Sequence, residues 1–199
     1  MSTHLILLCH APTKAVRTSA FPGDESLAPP ILALPEAKAE IQSFGRLHRA
    51  VRGPEQRAAE TASALGLEVD FTVEPALRDC DYGRWTGRRI SDVQADEPEG
   101  ISSWITTPES NPHGGESIAD LLARVAEWLE EQGRISNRVL AVTHPTVIRA
   151  AILHAIQAPA HSFWRLNVEP LSIVDLRGNQ GRWTLRSLSQ PRILSGSRE

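Results

Sequence analysis

The stretch His4-Leu5-Ile6-Leu7-Leu8-Cys9-His10-Ala11-Pro12-Thr13 decides the fold of this chain. A short apolar run ends abruptly in a polar, reactive pair, and a proline follows. An apolar run bounded in this way predicts a buried strand. In an open α/β sheet, ligands bind just past the carboxyl ends of the strands. We therefore expect His10 to lie at a functional site, with Cys9 beside it.

Length and composition limit the class of protein. The 199 residues fit one domain, 1–199, with a loop-rich insertion at about residues 77–115. No apolar run is long enough to span a bilayer, and the first residues lack the pattern of a signal peptide, so we predict a cytoplasmic protein. The net charge is −3 and no basic stripe alternates with aromatics, which argues against nucleic acid as a partner. A homodimer is an alternative that the sequence leaves open.

Strand-like and helix-like segments alternate along the chain. After the first strand, strands are predicted at residues 47–51, 68–73, 138–143, 171–176 and 183–188. Helices are predicted at residues 35–44, 55–65, 117–131 and 145–156. This order is typical of a three-layer α/β/α sandwich with a mostly parallel sheet covered on both faces. Two of the strands end in histidine, so His10 and His144 are expected at one rim of the sheet.

Several side chains are suited to phosphoryl transfer. Arg57 lies in the first turn of a predicted helix, and helix N-termini attract anions. A phosphoryl group must be held by cations or N–H donors while a nucleophile attacks in line. A neutral imidazole can be that nucleophile, a second, protonated imidazole balances charge, and a carboxylic acid protonates the leaving alcohol. The chain offers His10, His144 and Arg57, with Asp79 or Asp81 as the acid.

Five motifs follow one another along most of the chain. They are Cys9-His10-Ala11-Pro12-Thr13, Gly53-Pro54-Glu55-Gln56-Arg57-Ala58-Ala59-Glu60-Thr61-Ala62, Leu77-Arg78-Asp79-Cys80-Asp81-Tyr82-Gly83-Arg84-Trp85-Thr86-Gly87, Pro112-His113-Gly114-Gly115-Glu116-Ser117 and Val139-Leu140-Ala141-Val142-Thr143-His144. In this order they resemble the motifs of the histidine phosphatase superfamily, in its phosphoglycerate-mutase-like branch. Each motif alone is weak, but five in order are specific.

The resemblance implies a fold, an activity and a set of roles. It implies a phosphoglycerate-mutase-like fold and a phosphatase that hydrolyses small phosphomonoesters through a phosphohistidine. His10 would be the phosphorylated nucleophile, and Arg57 and His144 would bind the phosphoryl oxygens. Asp79 falls where the family has its acid/base glutamate, and Asp81 is the alternative acid.

Three departures from the family pattern bear on activity. Cys9 stands in place of an arginine, Ala11 in place of a glycine, and Asp79 is one methylene shorter than glutamate. Losing a charge-assisted hydrogen bond removes roughly 1.5–3 kcal/mol of anion binding. Arg17 is a candidate to replace the missing cation, and Thr13 to contact substrate or phosphate. The alternative function is a degenerate family member, weakly active or inactive, that binds a phosphorylated or anionic ligand.

The two cysteines raise a separate possibility. The resemblance would bring Cys9 and Cys80 to one pocket, where a Cys/His/Asp set can ligate zinc and two thiols can oxidise. Neither the spacing nor a Cys-x-x-Cys motif supports this. We therefore predict no metal and no cofactor, with both cysteines as small buried apolar residues.

Overall fold

The structure, a computed structural model, describes residues 2–191 and contains a six-stranded mixed sheet. The strands are β1 (Ser2–Cys9), β2 (Arg49–Arg52), β3 (Phe71–Val73), β4 (Arg138–Thr143), β5 (Ile173–Asn179) and β6 (Arg182–Ser189). Their order across the sheet is β3-β2-β4-β1-β5-β6. The first four are mutually parallel, whereas β5 runs antiparallel to β1 and β6 antiparallel to β5. The sheet thus combines four parallel strands with the predicted C-terminal hairpin.

Seven α-helices accompany the sheet within the described residues. They are α1 (Lys14–Thr18), α2 (Leu34–Ser43), α3 (Gln56–Leu65), α4 (Ile90–Asp96), α5 (Pro98–Thr106), α6 (Ile118–Gly133) and α7 (Pro145–Ile156). None of them is long and apolar enough to cross a membrane. The short helices α4 and α5 occupy the loop-rich insertion.

Strand β1 is central because its side chains are buried on both faces of the sheet. Side chains alternate between the two faces of a strand. Leu5 and Leu7 join a core cluster with α6 and α7, whereas Ile6 and Leu8 join a second cluster with α2 and α3. The sheet is therefore covered on both faces, and the predicted three-layer α/β/α arrangement is confirmed.

The largest difference between the predicted and observed elements is at the edge of the sheet. The strand predicted at residues 68–73 is reduced to Phe71–Val73, which pairs only with β2. Among the described strands it has no second partner, and of its side chains only the half-buried Phe71 packs against the core. Of the predicted domain 1–199, residue 1 and residues 192–199 lie outside the described part of the chain.

Candidate active site

Three neighbouring parallel strands end at the same edge of the sheet and build the site. His10 follows β1, His144 follows β4, and Gly53 follows β2. The ring centroids of His10 and His144 are 5.3 Å apart. Their exposed fractions are 2% and 0%. The two imidazoles that the sequence places at one rim therefore lie side by side in a nearly closed site.

The tautomer of His10 is fixed by a backbone contact. Its Nδ1 lies 2.7 Å from the carbonyl oxygen of Ala11. A carbonyl only accepts, so Nδ1 carries the proton and Nε2 keeps a lone pair. Burial and the neighbouring charges of His144 and Arg57 lower the pKa of His10 to about 3. His10 is therefore a neutral imidazole whose Nε2 lone pair is unprotonated, which is the form a nucleophile requires.

Arg57 is a buried cation that already has partners on every side. It lies in the first turn of α3 and is 1% exposed. Its Nη2 donates to Asp79 Oδ2 at 2.7 Å and its Nε to His144 Nδ1 at 3.2 Å. Its Nη1 donates to the Gly23 carbonyl. These three acceptors leave one N–H on each terminal nitrogen of the guanidinium for a ligand oxygen.

Of the two candidate acids, Asp79 belongs to this cluster. Besides Arg57, it accepts hydrogen bonds from the Thr146 hydroxyl and from the Cys80 N–H. Burial raises the pKa of Asp79, but the neighbouring His144, the Arg57 charge and the Thr146 hydrogen bond outweigh it and lower the pKa to about 2. Asp81 is exposed, and its carboxylate accepts from the Gly83 N–H at 2.9 Å.

Glu55 is a member of the cluster that the sequence analysis did not single out. Its Oε2 lies 2.7 Å from His144 Nε2, and its Oε1 accepts from the Asp79 N–H at 2.8 Å. Burial raises the pKa of Glu55, but the hydrogen bond and charge of His144 outweigh it and the net pKa is lowered. Glu55 is the N-cap of α3 but makes no side-chain capping hydrogen bond, so its carboxylate is free to reach His144. The sequence signal that could have identified Glu55 is a carboxylate two residues before Arg57.

Thr13 and Arg17 have other contacts. Thr13 is the N-cap of α1, and its hydroxyl accepts from the Val16 N–H at 3.3 Å. Arg17 is exposed and donates to the Ala28 carbonyl. It makes no hydrogen bond or ion pair to the clustered site residues described above. Arg17 would have to move to supply the missing cation.

The position of the missing arginine is filled by a neutral thiol. Cys9 is fully buried in the apolar core, and burial raises the pKa of its thiol. The nearby Arg149 charge on α7 opposes that rise. Arg149 donates from Nε to the Leu166 carbonyl at 2.8 Å, and burial lowers its pKa. Among the described residues, Arg149 has no carboxylate within ion-pair distance, so an arginine without a counter-charge lies on this side of the site.

The thiols and acids do not form a metal centre in the described part of the chain. No group of three or more His, Cys, Asp or Glu side chains there is arranged to hold a metal ion. The Cys80 thiol lies 3.5 Å from the Glu116 carbonyl oxygen, and burial raises its pKa as well. Both cysteines are free thiols.

A loop covers the first turn of α3 and closes the site. We call residues 20–28 the cover segment. Asp24 accepts from the Gln56 N–H at 2.7 Å, Leu27 donates to Glu60 at 2.8 Å, and Gly23 accepts from Arg57. These contacts hold the cover segment against the helix N-terminus where an anion would approach.

Comparison with known proteins identifies the family. The sequence profile of the histidine phosphatase superfamily, branch 1, matches residues 5–191. The chain belongs to this superfamily.

Curated relatives and solved structures agree with this assignment. A bifunctional protein of Mycobacterium tuberculosis is 31% identical over 133 residues, which cover 65% of this chain and 36% of that protein. The chain thus spans little more than a third of that relative. Phosphoserine phosphatase 1 of Hydrogenobacter thermophilus is 30% identical over 146 residues, covering 69% of this chain and 68% of that protein. The structure of a mycobacterial glucosyl-3-phosphoglycerate phosphatase has a TM-score of 0.80 at 25% identity, covering 94% of this chain and 98% of the other.

Proposed function

We propose that this chain is a phosphatase that hydrolyses small phosphomonoesters through a phosphohistidine at His10. The observation that carries the proposal is the fixed tautomer of His10, whose ring lies 5.3 Å from that of His144, which in turn accepts from Arg57. Membership in a family with named phosphatases supports the same class of reaction. A cytoplasmic location and a small phosphorylated substrate are part of the proposal.

The first half of the reaction transfers the phosphoryl group to His10. Nε2 attacks phosphorus, and the bond from phosphorus to the leaving alkoxide oxygen breaks. Arg57 and His144 bind the phosphoryl oxygens and balance the developing charge. Arg57 offers the N–H groups of Nη1 and Nη2 that Gly23 and Asp79 do not use, and its charge is then shared with the phosphoryl group.

Asp79 supplies the proton that the leaving group needs. While it is paired with Arg57, its pKa is about 2 and it is ionised. A bound phosphoryl dianion draws Arg57 away and adds negative charge, and both changes raise the pKa of a carboxyl group. The protonated acid gives its proton to the leaving alcohol and then, as a carboxylate, takes one from the water that hydrolyses the phosphohistidine.

A second candidate function is anion binding with little or no turnover. The observation that favours it is the charge of the site, in which Asp79 pairs with Arg57, a second carboxylate, Glu55, contacts His144, and no arginine stands at position 9. A carboxylate-rich site binds a phosphate dianion weakly unless a proton is taken up.

One experiment separates the two functions. Wild type, His10→Ala and a control, His161→Ala, in which an exposed histidine is replaced, are assayed on a panel of phosphate esters. We expect the wild type and the control to release phosphate and His10→Ala to show no turnover. Rapid quenching should trap an acid-labile phosphoenzyme in the first two proteins only. Equal rates in all three proteins would refute the phosphatase proposal, whereas inorganic phosphate binding without turnover would favour the second function.

A further inference from the structure

His144 lies between the proposed nucleophile and a carboxylate. The sheet order places β4 between β1 and β2, so His144 has His10 on one side and the segment after β2 on the other. Glu55 belongs to that segment, and its carboxylate contacts Nε2 of His144 at 2.7 Å. The second histidine is therefore held from the side away from His10.

The contacts of His144 determine which nitrogen carries the proton. Arg57 Nε can only donate, so Nδ1 of His144 must accept with its lone pair. Nε2 then carries the proton and donates it to Glu55. A chain of hydrogen bonds runs from Arg57 through His144 to Glu55 and ends at the Asp79 N–H.

The groups that face His144 come from every packed element around it. His10 lies at the end of β1, Glu55 and Arg57 at the start of α3, and Asp79 in the loop before α4, with its Oδ2 3.7 Å from His144 Nδ1. Nδ1 accepts from Arg57 Nε and has no proton to give in this arrangement. To donate to a phosphoryl oxygen, Nδ1 must lose the contact with Nε and take up a proton.

We propose that Glu55 is a positioning residue that fixes the ring of His144 and stabilises its imidazolium form when a phosphoryl group binds. The proposal rests on the proposed function and deepens it. A carboxylate hydrogen-bonded to an imidazole fixes its tautomer and orientation and stabilises the imidazolium. In this chain the second imidazole then supplies the positive charge that Cys9 cannot.

The test uses two substitutions of Glu55 with different consequences. Glu55→Gln keeps a hydrogen-bond acceptor and removes the charge, whereas Glu55→Ala removes both. Glu99→Gln, at an exposed carboxylate on α5, is the matched control. The affinity for inorganic phosphate is measured by calorimetry at pH 6 and pH 8 for each protein. The ring ¹⁵N chemical shifts of His144 are recorded without ligand.

The expected results separate a charge effect from a structural one. We expect Glu55→Gln to bind phosphate about tenfold more weakly than the wild type at pH 8, with a smaller loss at pH 6, where protons are more available. Glu55→Ala should lose as much affinity and, in addition, the shift that the hydrogen bond to a carboxylate gives to the Nε2 signal of His144. Glu99→Gln should match the wild type.

Two outcomes would overturn the role of Glu55. One is phosphate binding by Glu55→Gln at wild-type affinity at both pH values, and the other is a loss of equal size at pH 6 and pH 8. Failure of the wild type to bind phosphate would instead overturn the proposed function. In that case the ring shifts of Glu55→Ala would still show whether Glu55 accepts the hydrogen bond from His144 Nε2.

Discussion

The buried ion pair between Arg57 and Asp79 gives the sharpest prediction about both stability and ligand binding. Asp79→Asn keeps the shape of the side chain and removes its charge. Arg57, which is 1% exposed, would then remain buried without its counter-charge. Removing one partner of a buried pair costs about 3–5 kcal/mol. We expect a loss near the lower end, about 3 kcal/mol, because Gly23 and His144 still accept from Arg57.

The loss should be visible in urea unfolding and in thermal melting. For a chain of this size, 1 kcal/mol corresponds to about 2–4 °C in Tm, so Asp79→Asn should melt about 6–12 °C below the wild type. The direction of the pH dependence of stability follows from the lowered pKa of Asp79. The contribution of the Asp79 charge is present in full above about pH 4 and is lost as the pH falls through about 2.

Phosphate should offset the loss in the variant. Without the carboxylate, Arg57 is free for a ligand oxygen and one repelling charge is gone. Inorganic phosphate should therefore raise the Tm of Asp79→Asn more than that of the wild type, while turnover falls because the acid is missing.

Asp81→Asn is the matched control, since Asp81 is exposed and lies two residues away. It should leave stability, turnover and the phosphate response unchanged. A destabilisation of Asp79→Asn below about 1 kcal/mol, or an equal phosphate response in both variants, would refute the reasoning about the pair.

Two further predictions concern stability. Burial lowers the pKa of His10 to about 3 and that of His4 to about 4, so both imidazoles are neutral in the fold. Unfolding then takes up protons below about pH 6.5, so the free energy of unfolding should decrease from pH 6.5 towards pH 4. The decrease should be less steep in His10→Asn. A free energy of urea unfolding that does not change over this pH range would contradict the prediction. A Cβ at Gly115 would lie 2.1 Å from the Asp81 carbonyl oxygen, so Gly115→Ala should cost more than about 2 kcal/mol in urea unfolding. The control Gly133→Ala, where contacts are 3.7 Å or longer, should cost little.

The parts of the fold that the sequence predicts are those set by local signals. The apolar runs before His10 and His144 become β1 and β4, and Pro145 begins α7 where its missing N–H costs nothing. The edge strand β3 was predicted too long because its length depends on pairing with β2 alone.

The sequence names four side chains that the fold brings together, but it names neither Glu55 nor the connections between them. His10, His144, Arg57 and Asp79 meet because three parallel strands end together. The hydrogen-bond partner of each imidazole or guanidinium nitrogen depends on the course of the loops, which no local sequence pattern predicts. Glu55 was missed for this reason, since a carboxylate at a helix start usually interacts with its own helix.

The partial occupation of Arg57 changes what substrate binding means in this protein. Three protein acceptors each take one N–H of the guanidinium, and one N–H on each terminal nitrogen is left for a ligand. A bound oxyanion therefore shares the guanidinium with Asp79 and Gly23, and the free energy of binding includes this competition. A doubly charged oxyanion competes for the guanidinium better than a monoanion or a neutral alcohol does. The same sharing assists release of the inorganic phosphate product, because Asp79 and Gly23 still hold Arg57 as the product leaves.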